Sequence, residues 1–394
     1  MVDYHPFSAR VIEDPHKVYR LLREEDPCFY LGEWNTYFLS RFDDIWRASM
    51  DAESFSTASG TTTAQLVTKV QPVTPMLNSM DPPAHTRFRT QLMAYFSPGA
   101  VRRLEPRIQT FVDRAFEEVR ELREADVFNQ FAAQVSVKVA CLANGFPMED
   151  SDRLNTLVWR FFAREEGVDG MTPDGVAAMH EMFAYFTDLI ARRRAAGAND
   201  ESVVDLVCRY EDSHGRRFEV QDAASHLSMF LIGGAETFPK TFASAAHRLW
   251  QHPDQRAELA RDPSLIPDAY REVLRYDMPT QYLMRRVVKP LRFHDKLCQP
   301  GSNVAFLYPS ANRDPREFRD PDVFDVRRQS PRILSFGHGT HLCIGQHFAK
   351  MEAKLCTQKL LEFAPEYEVR ADKLVRLRTE FVQGWATMPV VFEP

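Results

Sequence analysis

The chain has 394 residues, of which 44% are hydrophobic, 26% charged and 12% aromatic, and its formal net charge is -6. That is the balance of a globular protein with an ample core. The mild acidity argues against nucleic acid as the main partner, and no apolar run nears the length of a membrane span. The richest run, 227–235, is short and broken by Ser228 and glycines.

The N-terminus, Met1-Val2-Asp3-Tyr4-His5-Pro6, has neither a basic start nor an apolar signal core, so no membrane anchor and a cytoplasmic location are expected. Six cysteines, at 28, 141, 208, 298, 343 and 356, form no Cys-x-x-Cys pair, which fits a reducing compartment. No Gly/Ser linker, charge block or internal repeat marks a boundary, and 1–394 reads as a single domain.

Taken in order, 29–31 and 37–39 read as short strands and carry no chemistry by themselves. The stretch 57–80 is rich in Thr, Ser, Gln and Pro, and Pro72 and Pro75 prevent a long helix; by length it is a functional loop or a disordered one. Pro82 and Pro83 then set a helix start, and His85 and Arg89, four apart, fall on one face. Such a pair suits a buried dianion and equally a solvated basic face. Apolar residues at 101, 104, 108, 111, 112, 115, 116, 119 and 122 predict a core-facing helix. Two aromatic-rich helical runs, 157–162 and 179–190, flank Gly167, Val168, Asp169, Gly170, Met171, Thr172 and Pro173; by themselves they read as plain core.

The segment 221–250 has a long helical pattern interrupted by Gly233-Gly234-Ala235-Glu236-Thr237-Phe238-Pro239-Lys240. Glycine pairs and proline cost stability inside a helix. The Thr237 hydroxyl can turn to the carbonyl of Gly233, and Pro239, lacking an N–H, leaves the carbonyl of Ala235 without its intrahelical partner. The result is a polar notch beside an acid and an alcohol, in which water can sit. Close helix packing is the other reading of Gly233 and Gly234. Further on, Pro267 opens a helix over 268–276 with Glu272 and Arg275 on one face, a common pair worth little when exposed.

The chain turns on Leu334-Ser335-Phe336-Gly337-His338-Gly339-Thr340-His341-Leu342-Cys343-Ile344-Gly345, followed by a helix over 346–362. Its glycines let the backbone fold tightly. Cys343, at the N-terminus of that helix, sits where amides and the helix dipole favour a thiolate. A lone cysteine would read as a buried small hydrophobe. Here Phe336, Gly339, His341, Cys343 and Gly345 match Phe-x-x-Gly-x-His-x-Cys-x-Gly without a gap, which resembles the haem-ligand loop of cytochromes P-450.

That resemblance, covering the chain from about Asp81 to the end, implies a mainly α fold with small β-sheets, the cytochrome P-450 fold. It implies haem b (iron protoporphyrin IX) with Cys343 as the iron's thiolate ligand and Phe336 packed beside it. His85, Arg89, Arg285 and His341 are then the groups that hold the propionates, with Arg285 preferred over Arg286. Glu272 and Arg275 resemble the family's Glu-x-x-Arg, completed by a third arginine, Arg328 rather than Arg327. The segment 233–237 resembles the distal notch where oxygen binds, with Glu236 and Thr237 managing protons; Pro239 departs from the pattern and is expected to widen the notch. Met229, Phe230, Ile232, Gly233, Thr280, Tyr282, Val382 and Gln383 become pocket residues, and the aromatic helices a mobile lid.

The implied activity is insertion of one oxygen atom from O₂ into a lipophilic small molecule, by hydroxylation or epoxidation, the substrate being a terpenoid, steroid or fatty-acid-like compound. No flavin domain, dinucleotide fingerprint or iron–sulfur cysteine set is present. Electrons are therefore expected from an external ferredoxin with its reductase, docking near Arg87, Lys350 and Lys354. The alternatives are a peroxide-dependent hydroxylase of the same fold, against which Glu236-Thr237 argues, and a non-catalytic haem-thiolate sensor or carrier.

Overall fold

The computed structural model describes residues 2–71, 74–165, 170–199, 201–377 and 379–392. Pro72, Gly167, Val168 and Asp169, placed above in loops, lie outside the described residues. The architecture is mainly α with small sheets, as the resemblance implied.

The larger sheet starts with the hairpin Cys28–Leu31 and Thr36–Leu39, turned at Asn35, whose left-handed φ of 45° suits asparagine. Thr36–Leu39 pairs in parallel with Asn303–Leu307, which pairs antiparallel with Tyr282–Val287, with Phe55–Ser56 at the edge. Every residue of Asn303–Leu307 is buried, as a strand covered on both faces should be. In Tyr282–Val287 the side chains alternate between faces. Tyr282 and Met284 join one core cluster, with Tyr4 and Phe38, while Leu283 and Val287 pack on another, with Phe306.

The helical body begins at Ala84–Phe96, directly after Pro82 and Pro83. Helix Pro98–Arg120 opens on Pro98 with the Ser97 hydroxyl capping the Ala100 N–H at 3.3 Å, and it buries Val101, Ile108, Val112, Ala115, Phe116 and Val119. Helix Val220–Ala235 runs through the centre against Ala133–Asn144 and Pro173–Ala196, and helix Gln346–Phe363 lies against Pro98–Arg120 and Ile266–Tyr276. Phe96 clamps the two central helices together, its ring 6.0 Å from Phe230 and 5.8 Å from Phe348. The helix expected over 221–250 is two helices, Val220–Ala235 and Thr237–Gln251, interrupted at Glu236. Among the described residues no helix is long and apolar enough to cross a membrane.

Candidate active site

The Cys343 loop is held by its own backbone. Gly337 N–H donates to Leu334 O (2.9 Å), Leu342 N–H to Gly339 O (3.0 Å) and Cys343 N–H to Phe336 O (2.8 Å). Gly337 and Gly339 have φ of 70° and 69°, which disfavours any other residue. At Gly339 a Cβ would also lie 2.3 Å from Ser49 O, so the loop is pressed against the end of helix Phe42–Met50. The amides of Gly345 and Gln346 and the charge of Arg89 pull the Cys343 thiol down, but burial outweighs them and its pKa is raised. The Cys343 side chain is exposed, unlike the other five cysteines, which are buried.

A buried ion cluster ties this loop to the body. Arg275 donates twice to Glu272, Nε to Oε2 and Nη2 to Oε1, both at 2.7 Å, with both side chains fully buried. Arg328 Nε reaches Glu272 Oε1 at 3.2 Å, whereas Arg327 turns away to Glu258. Arg275 Nη1 also donates to the carbonyl of Asn312 at 3.0 Å, and the Asn312 side chain in turn bonds Leu334 N–H at 2.8 Å and the Ser335 hydroxyl at 2.9 Å. Asn312, which the sequence reading missed, is the link from the ion cluster to the cysteine loop. No local pattern at Asn312 announces that role.

His85, Arg89, His341 and Arg285 converge beside the loop. His85 is buried with neither ring nitrogen hydrogen-bonded, and its ring lies 4.4 Å from that of His341. Burial, then Arg89, lowers the His85 pKa to about 4. Burial, then Arg285, His85 and Arg89, lowers that of His341 to about 2. Arg89 donates to the carbonyl of Leu342. Asp81, the carboxylate nearby, already accepts from the Ser56 hydroxyl (2.5 Å) and from Thr57 N–H (2.8 Å). Two guanidinium groups and two imidazoles, one with no partner at all, therefore face one region that calls for added negative charge. This donor set fits the two carboxylates of a haem whose iron Cys343 would bind. Arg286 points to the other face and donates to Gly301 O at 2.6 Å.

On the notch helix the two glycines differ. Gly234 is a packing glycine, since a Cβ there would lie 3.0 Å from Ala140 Cβ, and its carbonyl accepts from the Ser136 hydroxyl at 2.8 Å. Gly233, near the C-terminal end of helix Val220–Ala235, is exposed, with nothing within 4 Å of a Cβ. Thr237 Oγ1 turns back to Gly233 O at 3.4 Å, as the sequence predicts, and the helix is broken one residue earlier. Glu236, expected to manage protons in the notch, is paired with the buried Lys240 one turn on, whose ammonium also donates to Glu236 O at 3.2 Å. Lys240 Nζ lies 5.7 Å from the Phe128 ring and 5.6 Å from that of Phe162, a cation bracketed by aromatic faces. The i, i+4 spacing of Glu236 and Lys240 was the available signal.

Of the pocket candidates, Met229 and Ile232 are partly buried at the edge of the core, and Phe336 lies at the same edge with Lys350 Nζ 5.4 Å from its ring. Thr280 is bridged to the buried Val382. Gln383 spends its amide on Met278 O at 2.8 Å and locks that turn. Two candidates are corrected. Phe230 belongs to the Phe96 clamp, and Tyr282 is fully buried in the sheet with its hydroxyl 2.7 Å from Thr63 Oγ1. The residue sharing the face of Arg285 is Leu283, which counting back by two from Arg285 would have found. Lys354, expected on a docking surface, is paired with Glu105 at 2.9 Å, while Arg87 and Lys350 are exposed.

With this geometry in view, the chain was compared with known proteins. The family model described as Cytochrome P450 matches residues 264–384. Cytochrome P450 130 of Mycobacterium tuberculosis is 32% identical over 397 residues, covering 98% of this chain and 97% of the relative. Vitamin D(3) 25-hydroxylase of Pseudonocardia autotrophica is 30% identical over 394 residues, covering 98% and 96%. Among solved structures, CalO2 superposes with a TM-score of 0.86 at 27% identity, covering 100% of both chains.

Proposed function

Because the chain belongs to the cytochrome P450 family of haem-thiolate monooxygenases, we propose that it hydroxylates or epoxidises a lipophilic small molecule with O₂, as one domain carrying haem b and fed by a ferredoxin. The observation that carries the assignment is the unpartnered His85 ring set among Arg89, Arg285 and His341 beside Cys343. In this reading Cys343 is the iron ligand, the four basic groups hold the propionates, and Phe336 shields the sulfur. Bound there, the haem supplies the activation of O₂ and the transfer of one oxygen atom.

The chain supplies everything around that step. Thr237, poised on Gly233 O, holds a hydroxyl and its water beside the open face of Gly233. Glu236 is the carboxylate that moves protons toward Thr237, and Lys240 holds it aside between turnovers. Met229, Ile232 and Leu283, all partly buried, exclude water and present an apolar wall to the substrate. A lipophile is supported by that wall, and a sterol-like one by the vitamin D relative.

A small acidic ferredoxin suits the exposed Arg87 and Lys350 near the cysteine side. Arg87→Glu and Lys350→Glu should slow reduction and flatten its salt dependence; unchanged reduction removes this docking site. The central test is an optical titration of the ferric protein with terpenoids, steroids and fatty acids, following the Soret band. A low-spin thiolate-haem spectrum that moves to high spin with one class supports the reading and names the class. A protein with no thiolate-haem spectrum rejects it.

A further inference from the structure

A small cavity of about 50 Å³ opens where the 62–71 loop, the end of helix Ser151–Phe162 and the turn at 380–381 meet; Thr62, Phe161, Phe162, Arg164, Glu380 and Phe381 are among its walls. Phe7, Phe161, Phe162 and Phe381 stand in that wall, yet three polar groups beside them lack a hydrogen bond among the described residues. Arg164 Nε and Thr62 Oγ1 are buried with no hydrogen bond among the described residues, and Arg164 Nη1 is spent on Ala163 O at 3.1 Å. The Glu380 carboxylate, 7% exposed, makes no hydrogen bond among the described residues. Its Oε2 stands 3.7 Å from Arg164 Nε, near enough for charge attraction and too far for a hydrogen bond.

The cavity lies one layer of side chains beyond the notch. Phe162, in its wall, is 5.6 Å from Lys240 Nζ, and Lys240 is the partner of Glu236. Phe381 O accepts from Gln281 N–H at 2.8 Å, next to the Thr280–Val382 bridge of the chamber wall.

Resting on the monooxygenase reading, we propose that this cavity anchors the substrate by a hydroxyl group at the end remote from the carbon that is oxidised. An unfilled donor and an unfilled acceptor stand side by side, and a hydroxyl oxygen satisfies both, accepting from Arg164 Nε–H and donating to Glu380 Oε2. A ketone accepts only. A carboxylate meets the Glu380 charge, and a hydrocarbon leaves both groups buried and unpaired, the costly outcome. The volume has room for a few water-sized groups, so it takes an oxygen function and not a ring.

The test is a Soret titration of the holoenzyme with two sets of compounds. One is a straight-chain alcohol with its matching acid and alkane; the other is a hydroxysteroid with its keto and deoxy counterparts. In at least one set the alcohol should bind about tenfold or more tighter than the hydrocarbon, the size of a hydrogen bond to a charged group. Arg164→Leu should erase that ratio, and Thr62→Val should lower it modestly. Glu380→Gln should erase it and in addition admit the acid. If the Arg164–Glu380 pair merely fastens the loops, the variants will lower Tm and weaken all compounds alike, which overturns the proposal. So does the absence of a shift with either hydroxyl compound beside an intact thiolate-haem spectrum. Loss of that spectrum in the wild-type protein would instead reject the monooxygenase reading beneath it.

Discussion

Around the Cys343 loop, Arg275 spends its guanidinium on Glu272 and on the carbonyls of Asn312, Pro321 and Val323, while beyond the notch helix Arg164 Nε, Thr62 and Glu380 spend almost nothing. The first region is finished without any ligand. The second, like His85, keeps buried polar groups without a hydrogen bond among the described residues. In the proposed reading the difference separates the frame that would orient the iron ligand from the surfaces that cofactor and substrate would complete, since buried polar groups are otherwise paired.

The contrast breaks most completely at Cys343. Cys343→Ser should abolish the thiolate-haem spectrum and all turnover, checked by the absorption of the reduced carbon monoxide complex. Next in size, Glu272→Gln leaves Arg275 buried without its counter-charge. It should cost about 3–5 kcal/mol, seen as a lower denaturation midpoint and poor haem retention. Lys240→Met, on the other side, strands the Glu236 carboxylate at a similar cost, and adding Glu236→Gln should recover most of it. A double-mutant cycle showing no coupling would dissolve the pair. Thr237→Ala should leave stability and substrate binding unchanged while lowering product formed per O₂ by roughly tenfold, the balance appearing as peroxide.

The smallest effect concerns His226, whose Nδ1 accepts from Leu77 N–H at 3.1 Å and so fastens the turn Leu77–Ser79 to the notch helix. Burial lowers its pKa to about 3. The unfolded imidazole takes up its proton at a higher pH than the folded one, so this contribution is full above about pH 6.5 and is lost as the pH falls toward 3. At pH 5 the loss should be about 2 kcal/mol, and His226→Asn should flatten the fall of Tm between pH 7 and 5.

Much of this contrast was legible beforehand, unevenly. The helix start at Pro82-Pro83, the apolar stripe that begins at Val101 and the strands around Asn35 follow from φ restriction and periodicity, which act within a few residues. The break at Glu236 was foreshadowed by Thr237 and Pro239, because lost backbone hydrogen bonds are local events. Tyr282 was misplaced because the sequence reading did not carry the alternation back from Arg285. Phe230 was misplaced because a helical position does not say which neighbour an aromatic ring will meet, and that neighbour, Phe96, comes from a distant segment.

By itself the sequence determined the Cys343 loop, the His85 and Arg89 pair on one face of helix Ala84–Phe96 and the family, since glycines at positive φ and residues at fixed short spacing have few conformations open to them. Tertiary structure alone decided that Glu236 meets Lys240 between Phe128 and Phe162, that Asn312 links the Arg275 cluster to the cysteine loop, and that Gly233 stays open where Gly234 is packed. The reason is one of range: the worth of a charge or a gap depends on partners and on dielectric set by segments far away in the chain.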